Sequence, residues 1–581
     1  IVSGSSGVGS SSRVILRGNR SINGSSQPLY VIDGVPVRGE PEDLNPDNIV
    51  SINILKGANA SALYGSSGQN GVIVIETRKG KQGFNVGLST TYMAMEPIQS
   101  IPFQYQYGQG AGSVYNKASE DAWGPKFNGS QVPTWSLDPA QAGTTYAYEG
   151  QNGVKEGIFQ RGYNSATNLS VIAGNEKIKT AFNYTYTNAE GIVPNNALQR
   201  HNIALRITNQ VSKRFSIDSK IEYIKQNVNN RLDEGESSFN PIRQIYTMPP
   251  NIRKQDVLDY EFLNPATGVP SQNYWANGAI TSANPYWALY RNLRYDKSDR
   301  VIAMTALSYQ FTDDLKLTAR GSYDGEYTGG EEKSYNGTFR DPAGRYALGS
   351  GTAQQTIGDF LLSYHKQIRT DWSVSANVGG EIRDSKATSI SSSTGAALNI
   401  PNLFALTNTS LPTTSNAKSR MQTQSLYANG VVGWKEALFL DVSARNDWNS
   451  TLPAANRSYF YPSAGVSAIL SQLLRLPEAF SYLKLRGSWA QVGNGTSPYL
   501  LQRTATSIAG GSLGYILLDA TLPNTQLRPE KTTSKEIGLE MSLFDSRIGL
   551  DLTLYKTNTN DQLFRQDLPF GSGAASFFTN G

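Results

Sequence analysis

For ten residues or more at a stretch, side chains along most of this chain alternate between apolar and uncharged polar. That pattern commits the backbone to long strands with one greasy face and one wet face. In Lys177 to Thr187 the even positions carry Ile178, Phe182, Tyr184 and Tyr186, and the odd ones Lys177, Lys179, Asn183 and Thr185. Leu315, Leu317 and Ala319 oppose Lys316, Thr318, Arg320 and Asp324 in the same way. Leu438, Leu440, Val442 and Ala444 oppose Asp441, Ser443, Arg445 and Asp447, and Ile548, Leu550, Leu552 and Leu554 oppose Asp551 and Thr553. We expect about fifteen such strands between Phe84 and Phe564, each around ten residues or longer, enough when tilted by ~45° to cross a bilayer's apolar band of ~25 Å. Strands of soluble sandwiches and propellers are shorter, about 5 to 6 residues, and share their greasy face with a second sheet.

Composition fits this reading. Charged residues make up 17% of the chain and hydrophobic ones 38%, so Ser, Thr, Asn, Gln and Gly supply the polarity of the wet faces. No run approaches the ~20 apolar residues of a membrane-spanning helix. With no Cys, a disulfide framework, a thiol nucleophile and a Cys-built zinc site are all excluded. A net charge of +5 without a Lys/Arg run makes nucleic acid a poor partner.

The connections alternate in length. Short turns at Gly174-Asn175-Glu176, Ser212-Lys213, Thr312-Asp313-Asp314, Thr370-Asp371, Lys435-Glu436 and Asp545-Ser546-Arg547 alternate with long segments such as 97–157, 230–298, 386–418 and 494–530. Outer-membrane barrels keep short turns on the periplasmic side and long loops outside, so odd-numbered strands should run outward. Phe215, Phe311, Trp372, Trp434 and Phe544 sit beside the short turns, where a periplasmic aromatic girdle belongs. An odd strand count cannot close a bacterial barrel, so further strands are expected beyond Gly581. No basic-then-apolar leader stands at Ile1, which is the expectation for a removed signal peptide or a sequence entered part-way.

Residues 1–82 have another texture and read as a small α/β unit ahead of the barrel at 83–581. Arg13 to Leu16, Tyr30 to Ile32, Ile49 to Leu55 and Gly71 to Thr77 read as strands. Asp33-Gly34 is a turn, Asn45-Pro46 a helix start, and Ala58 to Tyr64 a short helix stopped by Gly65. Gly18, Gly34, Gly57, Gly65 and Gly71 are available for positive φ. A lumen walled by some twenty strands would be an open hole, so a plug is physically necessary.

Four blocks in this region carry a resemblance. They are Arg13-Val14-Ile15-Leu16-Arg17-Gly18, Pro28 to Val35 around Tyr30, Asp33 and Gly34, Ile54 to Gly65 around Lys56, Gly57 and Tyr64, and Asn70-Gly71 to Thr77. In order and spacing they resemble the plug of TonB-dependent transporters, specifically the SusC/RagA branch of Bacteroidota. Asp121 to Lys126, Arg445 to Trp448 and Leu485 to Trp489 are similar to barrel signatures of the same family. The resemblance implies a mainly β fold, a transmembrane antiparallel barrel of about twenty-two strands in the full protein with the plug in its lumen. It implies TonB-dependent import of an oligosaccharide, or of an oligopeptide as in the RagA type, across the bacterial outer membrane. The partners it implies are a SusD-like lipoprotein lid and the TonB-ExbB-ExbD complex, and it allows a dimer of SusC-SusD pairs. It implies no cofactor and no enzyme activity.

Chemical motifs are sparse. His201 and His365 read as solvated or hydrogen-bonded barrel residues. Gly108-Gln109-Gly110-Ala111-Gly112 has the glycine spacing of a phosphate loop without the flanking strand, helix or Lys-Ser/Thr pair, and reads as an outer loop. Asp233-Glu234-Gly235-Glu236 offers oxygens for calcium but fits a solvated loop tip better, and no metal site is expected. Lumenal Asp441, Arg445 and Asp447 either bind a polar substrate or hold the plug, the second being favoured. Tyr274, Trp275, Tyr286, Trp287 and Trp448 are the candidate substrate residues, since flat rings stack on sugar faces, with packing among loops as the alternative. Two rival readings are a surface interaction or secretion-associated component on the same scaffold, and a soluble β-rich carbohydrate enzyme, which would need a carboxylate pair in a cleft.

Overall fold

The computed structural model describes residues 2–3, 7–10, 12–16, 18, 27–39, 44–55, 64–98, 101–276, 280–395, 397–508 and 514–581. A four-stranded sheet is built from β1 (Leu29–Ile32), β2 (Val35–Pro36), β3 (Ile49–Leu55) and β4 (Val72–Thr77), in the order β2-β1-β4-β3. β1 and β4 run parallel and the other pairs antiparallel. Asp33 and Gly34 both take positive φ, 52° and 84°, and fold β1 tightly back onto β2. Asn45 caps a single 3₁₀ turn, Pro46–Asn48, by accepting the Asp47 N–H. The strand expected over Arg13 to Leu16 is reduced to Ser12–Arg13 paired with Val2–Ser3. The helix expected over Ala58 to Tyr64 lies, up to residue 63, outside the described residues, as do Arg17, Lys56 and Gly57.

Two- and three-stranded sheets lie in the connecting segments, and the largest element is one antiparallel sheet of 15 strands in sequential order. They are β5 (Gly83–Met95), β6 (Gly162–Gly174), β7 (Ile178–Glu190), β8 (Ala197–Gln210), β9 (Phe215–Asn229), β10 (Asn292–Gln310), β11 (Leu315–Ser334), β12 (Arg345–Arg369), β13 (Trp372–Ser393), β14 (Thr413–Trp434), β15 (Leu438–Asn449), β16 (Ser458–Ile469), β17 (Phe480–Asn494), β18 (Glu530–Leu543) and β19 (Ile548–Asn560). β5 and β19 form its two edges. The sheet curls around the small domain, because β7 to β13 and β15 reach it through inward side chains.

Burial is inverted relative to a soluble protein. Leu440 and Leu552 are 51% and 50% exposed, whereas Arg206, Lys220, Glu222, Arg300, Asp324, Arg445 and Asp447 are buried. Lipid, not a second sheet, is the partner for such an outward face. At the turn end, Trp372 and Trp434 lie 6.5 Å apart and Phe311 packs edge-on against Tyr309, forming the expected girdle.

Strands run past the membrane on the loop side. β13 and β14 continue to Ser393 and from Thr413, so the loop expected at 386–418 shrinks to 394–412. A turn at 470–479 between β16 and β17, carrying the short helix Leu470–Leu473, was not anticipated. The segments 96–161 and 230–291 fold together outside the barrel around Trp135, Tyr148, Ile245, Met248, Ile252 and Trp275.

Candidate functional site

The site is the seat of the small domain and the cavity above it. At the β1–β2 turn the Asp33 carboxylate accepts the Thr77 N–H at 2.9 Å and the Thr77 hydroxyl at 2.6 Å. From the wall, Arg206 Nη1 donates to it at 2.9 Å and Lys220 Nζ stands 3.4 Å away. Arg206 also grips Asp218 with two bonds of 3.0 and 2.6 Å, and Lys220 lies 3.0 Å from Glu222. Burial alone would raise the Asp33 carboxyl, but Lys220, then Arg206 and the Thr77 bonds, hold it below the ordinary carboxylate range.

Four further seats surround this one. Arg300 forms a two-bond pair with Asp324 at 2.9 and 2.8 Å, donates to the Arg38 carbonyl at 2.7 Å, and Asp324 accepts the Arg38 N–H at 2.8 Å. The Arg445 guanidinium lies so close to Gly65 (φ 70°) that a Cβ there would meet Nη2 at 2.7 Å. Arg445 pairs with Asp447 at 2.7 Å and with Ser425 at 2.7 Å, and Tyr461 donates to Asp447. Arg383 donates to Ser67 at 3.0 Å, and Asn45 donates to Thr185 at 2.6 Å. Each buried charge has an opposite partner, which makes the seat costly to break one residue at a time.

Of the sequence-derived motif residues, Tyr30 is buried against Ile224 and Ile302 of the wall. Asp33 and Gly34 form the central seat, with Arg320 covering Gly34. Asn70 donates to the Gln27 carbonyl at 3.2 Å, and Gly71 (φ 93°) lies beneath Leu16. Gly18 has φ 81°, and Tyr64 packs beside Val31 and Val72. Arg13 falls in the short strand pair already described. Arg445 and Asp447 serve as holding residues, while Asp441 stands apart in a cleft with Lys484 and Arg486. Sequence reasoning passed over Arg206, Lys220 and Arg300, although charged residues on the wet face of a long strand were the available signal.

A cavity of about 900 Å³ opens between Val8–Ser10, Arg38 and Gly39 on one side and the inner wall on the other. Arg200, Arg231, Asp296, Glu326 and Ser350 are among the residues on that wall, and among the described residues no aromatic ring lines it. The candidate stacking residues have a different place. Tyr274, Trp275 and Trp287 are fully buried in the outer-loop module, Tyr274 donating to Glu120 at 2.6 Å and Trp287 to Thr338 at 2.9 Å. Tyr286 stacks on Tyr290 at 6.1 Å, and Trp448 lies on the outward face of β15 in phase with Leu440. Alternating or paired rings carry no sequence mark that separates a loop core from an open surface.

The weaker motifs also resolve. Gly110-Ala111 starts a hairpin, and Gln109 is buried, its amide donating to the carbonyls of Ser119 and Trp275 at 2.9 and 3.1 Å. Asp233 is held by Arg294 and by Ser237 at 2.6 Å. His201 bonds Tyr184 at 3.0 Å and His365 bonds Ser375 at 2.8 Å.

Two family descriptions match the chain: "TonB dependent receptor-like, beta-barrel" over residues 246–581 and "TonB-dependent Receptor Plug Domain" over residues 1–72. The chain is 26% identical over 98% of its length to TonB-dependent receptor P26 of Formosa agariphila, covering 56% of that protein. It is 24% identical over 98% of its length to TonB-dependent receptor SusC of Bacteroides thetaiotaomicron, covering 57% of it. It thus spans little more than half the length of these curated relatives. Its fold resembles the structure described as the RagAB peptide transporter, with a TM-score of 0.74, 18% identity, and 98% and 65% of the two chains covered. It resembles the ferric citrate transporter FecA with a TM-score of 0.55 at 12% identity, over 95% of this chain and 64% of that one.

Proposed function

The chain belongs to the TonB-dependent receptors of the bacterial outer membrane, and from that premise we propose that it serves energy-coupled import of a large hydrophilic nutrient. In this reading residues 1–82 are the plug and 83–581 the barrel. The observation that carries the proposal is a small domain held on the inner face of the barrel sheet by several separate charged or polar seats, beside a cavity between that domain and the wall. Such a seat suits a gate that a mechanical pull from the periplasm dislodges, with the TonB-ExbB-ExbD complex supplying the pull. A SusD-like lipoprotein would close over the outer loops, and a dimer of such pairs is the assembly this implies. Plug motif residues Arg13, Arg17, Gly18, Tyr30, Asp33, Gly34, Lys56, Gly57, Tyr64, Gly65, Asn70 and Gly71 act in this reading as the plug's frame.

The nutrient is an oligosaccharide or an oligopeptide. The first rests on the SusC relative and on the loop rings Tyr274, Trp275, Tyr286 and Trp287, which would reach sugar only after rearrangement of the outer loops; Trp448, on the outward face of β15, is turned away from the lumen. A specific observation favours the second: the cavity presents charges of both signs, Arg38, Arg200 and Arg231 with Asp296 and Glu326, and among the described residues no ring, which suits charged peptide groups better than sugar faces. Deleting the gene and following uptake of labelled oligopeptides and oligosaccharides tests both. Loss of one class with normal growth on its monomers is expected, and unchanged uptake of every class removes the transport reading.

A further inference from the structure

On the outward face of β12 to β15 a groove of about 910 Å³ opens at the outer edge of the apolar band. Phe360, Ile382 and Leu426 floor it, all exposed, with Trp448 at its side. Beneath them the backbone is bare. A Cβ on Gly380 would meet the Phe360 ring at 2.6 Å, whereas one on Gly358 would meet nothing within 4 Å. The depression is therefore open to whatever surrounds the barrel, which at this depth is acyl chain.

The groove changes character outward. Gln422, Gln424, Ser450 and Arg457 line its outer end. Further along the same face of β13 and β14 come Asp384, Lys386, Arg420 and Lys418. Arg420 holds Asp384 with two bonds of 2.9 and 3.2 Å, and Lys386 Nζ lies 3.1 Å from the same carboxylate. One carboxylate thus serves two cations, Lys418 and Arg457 add two more positive charges nearby, and the carboxylates that border the groove, Asp359 and Glu381, are already paired with Arg320 and Arg383. A second place on the rim shows the same excess independently: Lys535 of β18 and Lys556 of β19 stand directly opposite each other on the outward face, just beyond Ile537 and Leu554. Like charges in direct cross-strand register repel unless an anion lies between them.

We propose that this groove binds a phosphorylated glycolipid of the outer leaflet, its acyl chain along Phe360, Ile382 and Leu426 and its phosphate against Arg420, Lys386 and Arg457. Charge complementarity selects this occupant. A second barrel would bring its own cations against these, whereas a lipid phosphate meets them with charge-assisted hydrogen bonds and keeps its chain in the apolar band.

The test uses the whole transporter purified from outer membranes and stripped in mild detergent. Native mass spectrometry would follow its titration with a diphosphorylated lipid A and with the same lipid after removal of its phosphates. The expected result is one tightly held lipid, weakened about tenfold by phosphate removal or by Arg420→Gln with Lys386→Gln. A Gly358→Trp variant, which fills the floor without touching charge, should weaken both lipids alike. Heat-shifted electrophoretic mobility checks that each variant forms a barrel. Equal retention of the phosphate-free lipid, indifference to all variants, or a barrel dimer in place of a lipid adduct would overturn the proposal.

Discussion

Asp33 is the residue on which most of the plug seat converges. Asp33→Asn keeps its shape and leaves Arg206 and Lys220 buried with less opposite charge, a change that costs about 3–5 kcal/mol when a buried pair loses one partner. The expected outcome is a leaky membrane: a large antibiotic normally excluded should enter cells carrying the variant, while barrel formation is unchanged. The pH dependence has a definite sign. Because the folded carboxyl sits below its ordinary value of 3.8, its contribution is complete above that pH and fades only as pH falls further. Plug retention read by single-channel conductance should therefore be flat from neutrality to about pH 4. The sequence showed Asp33 and Gly34 as a turn and as motif residues, since a turn is local. It did not show that Arg206 and Lys220 meet them, because contacts separated by more than 170 residues depend on the curl of the whole sheet.

The strands were the most legible elements, and for a physical reason. A period of two sorts side chains between lipid and lumen without reference to any distant residue, so Leu440 and Asp441 could be assigned to opposite faces from sequence alone. Their unequal tolerance is testable. Leu440→Arg puts a charge on the lipid face and should cost about 2–4 kcal/mol near mid-bilayer, whereas Ser443→Arg on the lumen face should cost far less. Refolding yield into lipid vesicles, read by the heat-shifted band, separates the two. The strand ends were less legible: above the membrane the outward side of β13 turns to Asp384 and Lys386, and the backbone pairing outlasts the hydrophobic signal that marked it.

At the scale of the whole molecule, the outer loops were the illegible part. Tyr274, Trp275 and Trp287 were open to two readings, and the buried one holds: Tyr274 and Trp275 lie in a core that 96–161 and 230–291 share and neither contains alone, and Trp287 packs with Ala283, Ala288, Tyr260 and Tyr335. Trp275→Ala should remove about 3–5 kcal/mol from that core, exposing both loops to protease while the barrel stays intact. The same module has a pH signature. Burial presses the Lys155 ammonium down to about 8, only partly offset by Glu156, and the side chain sits 4.1 Å from the Phe103 ring. The unfolded loop then binds the extra proton above that pH, so protease resistance should rise between about pH 8 and 10 and the rise should vanish in Lys155→Met. Above about pH 10 the trend reverses, because burial raises the Tyr148 phenol to about 12 and the unfolded form ionises first.

That shared core also limits how such proteins can diverge. The two loops leave the barrel on either side of four intervening strands, β6 to β9, yet each supplies rings that the other shelters. Substitutions in one must be answered in the other, so a chimera that borrows a single loop from a homologue would inherit half of an interface. Exchange of specificity by recombination should succeed only when both segments travel together.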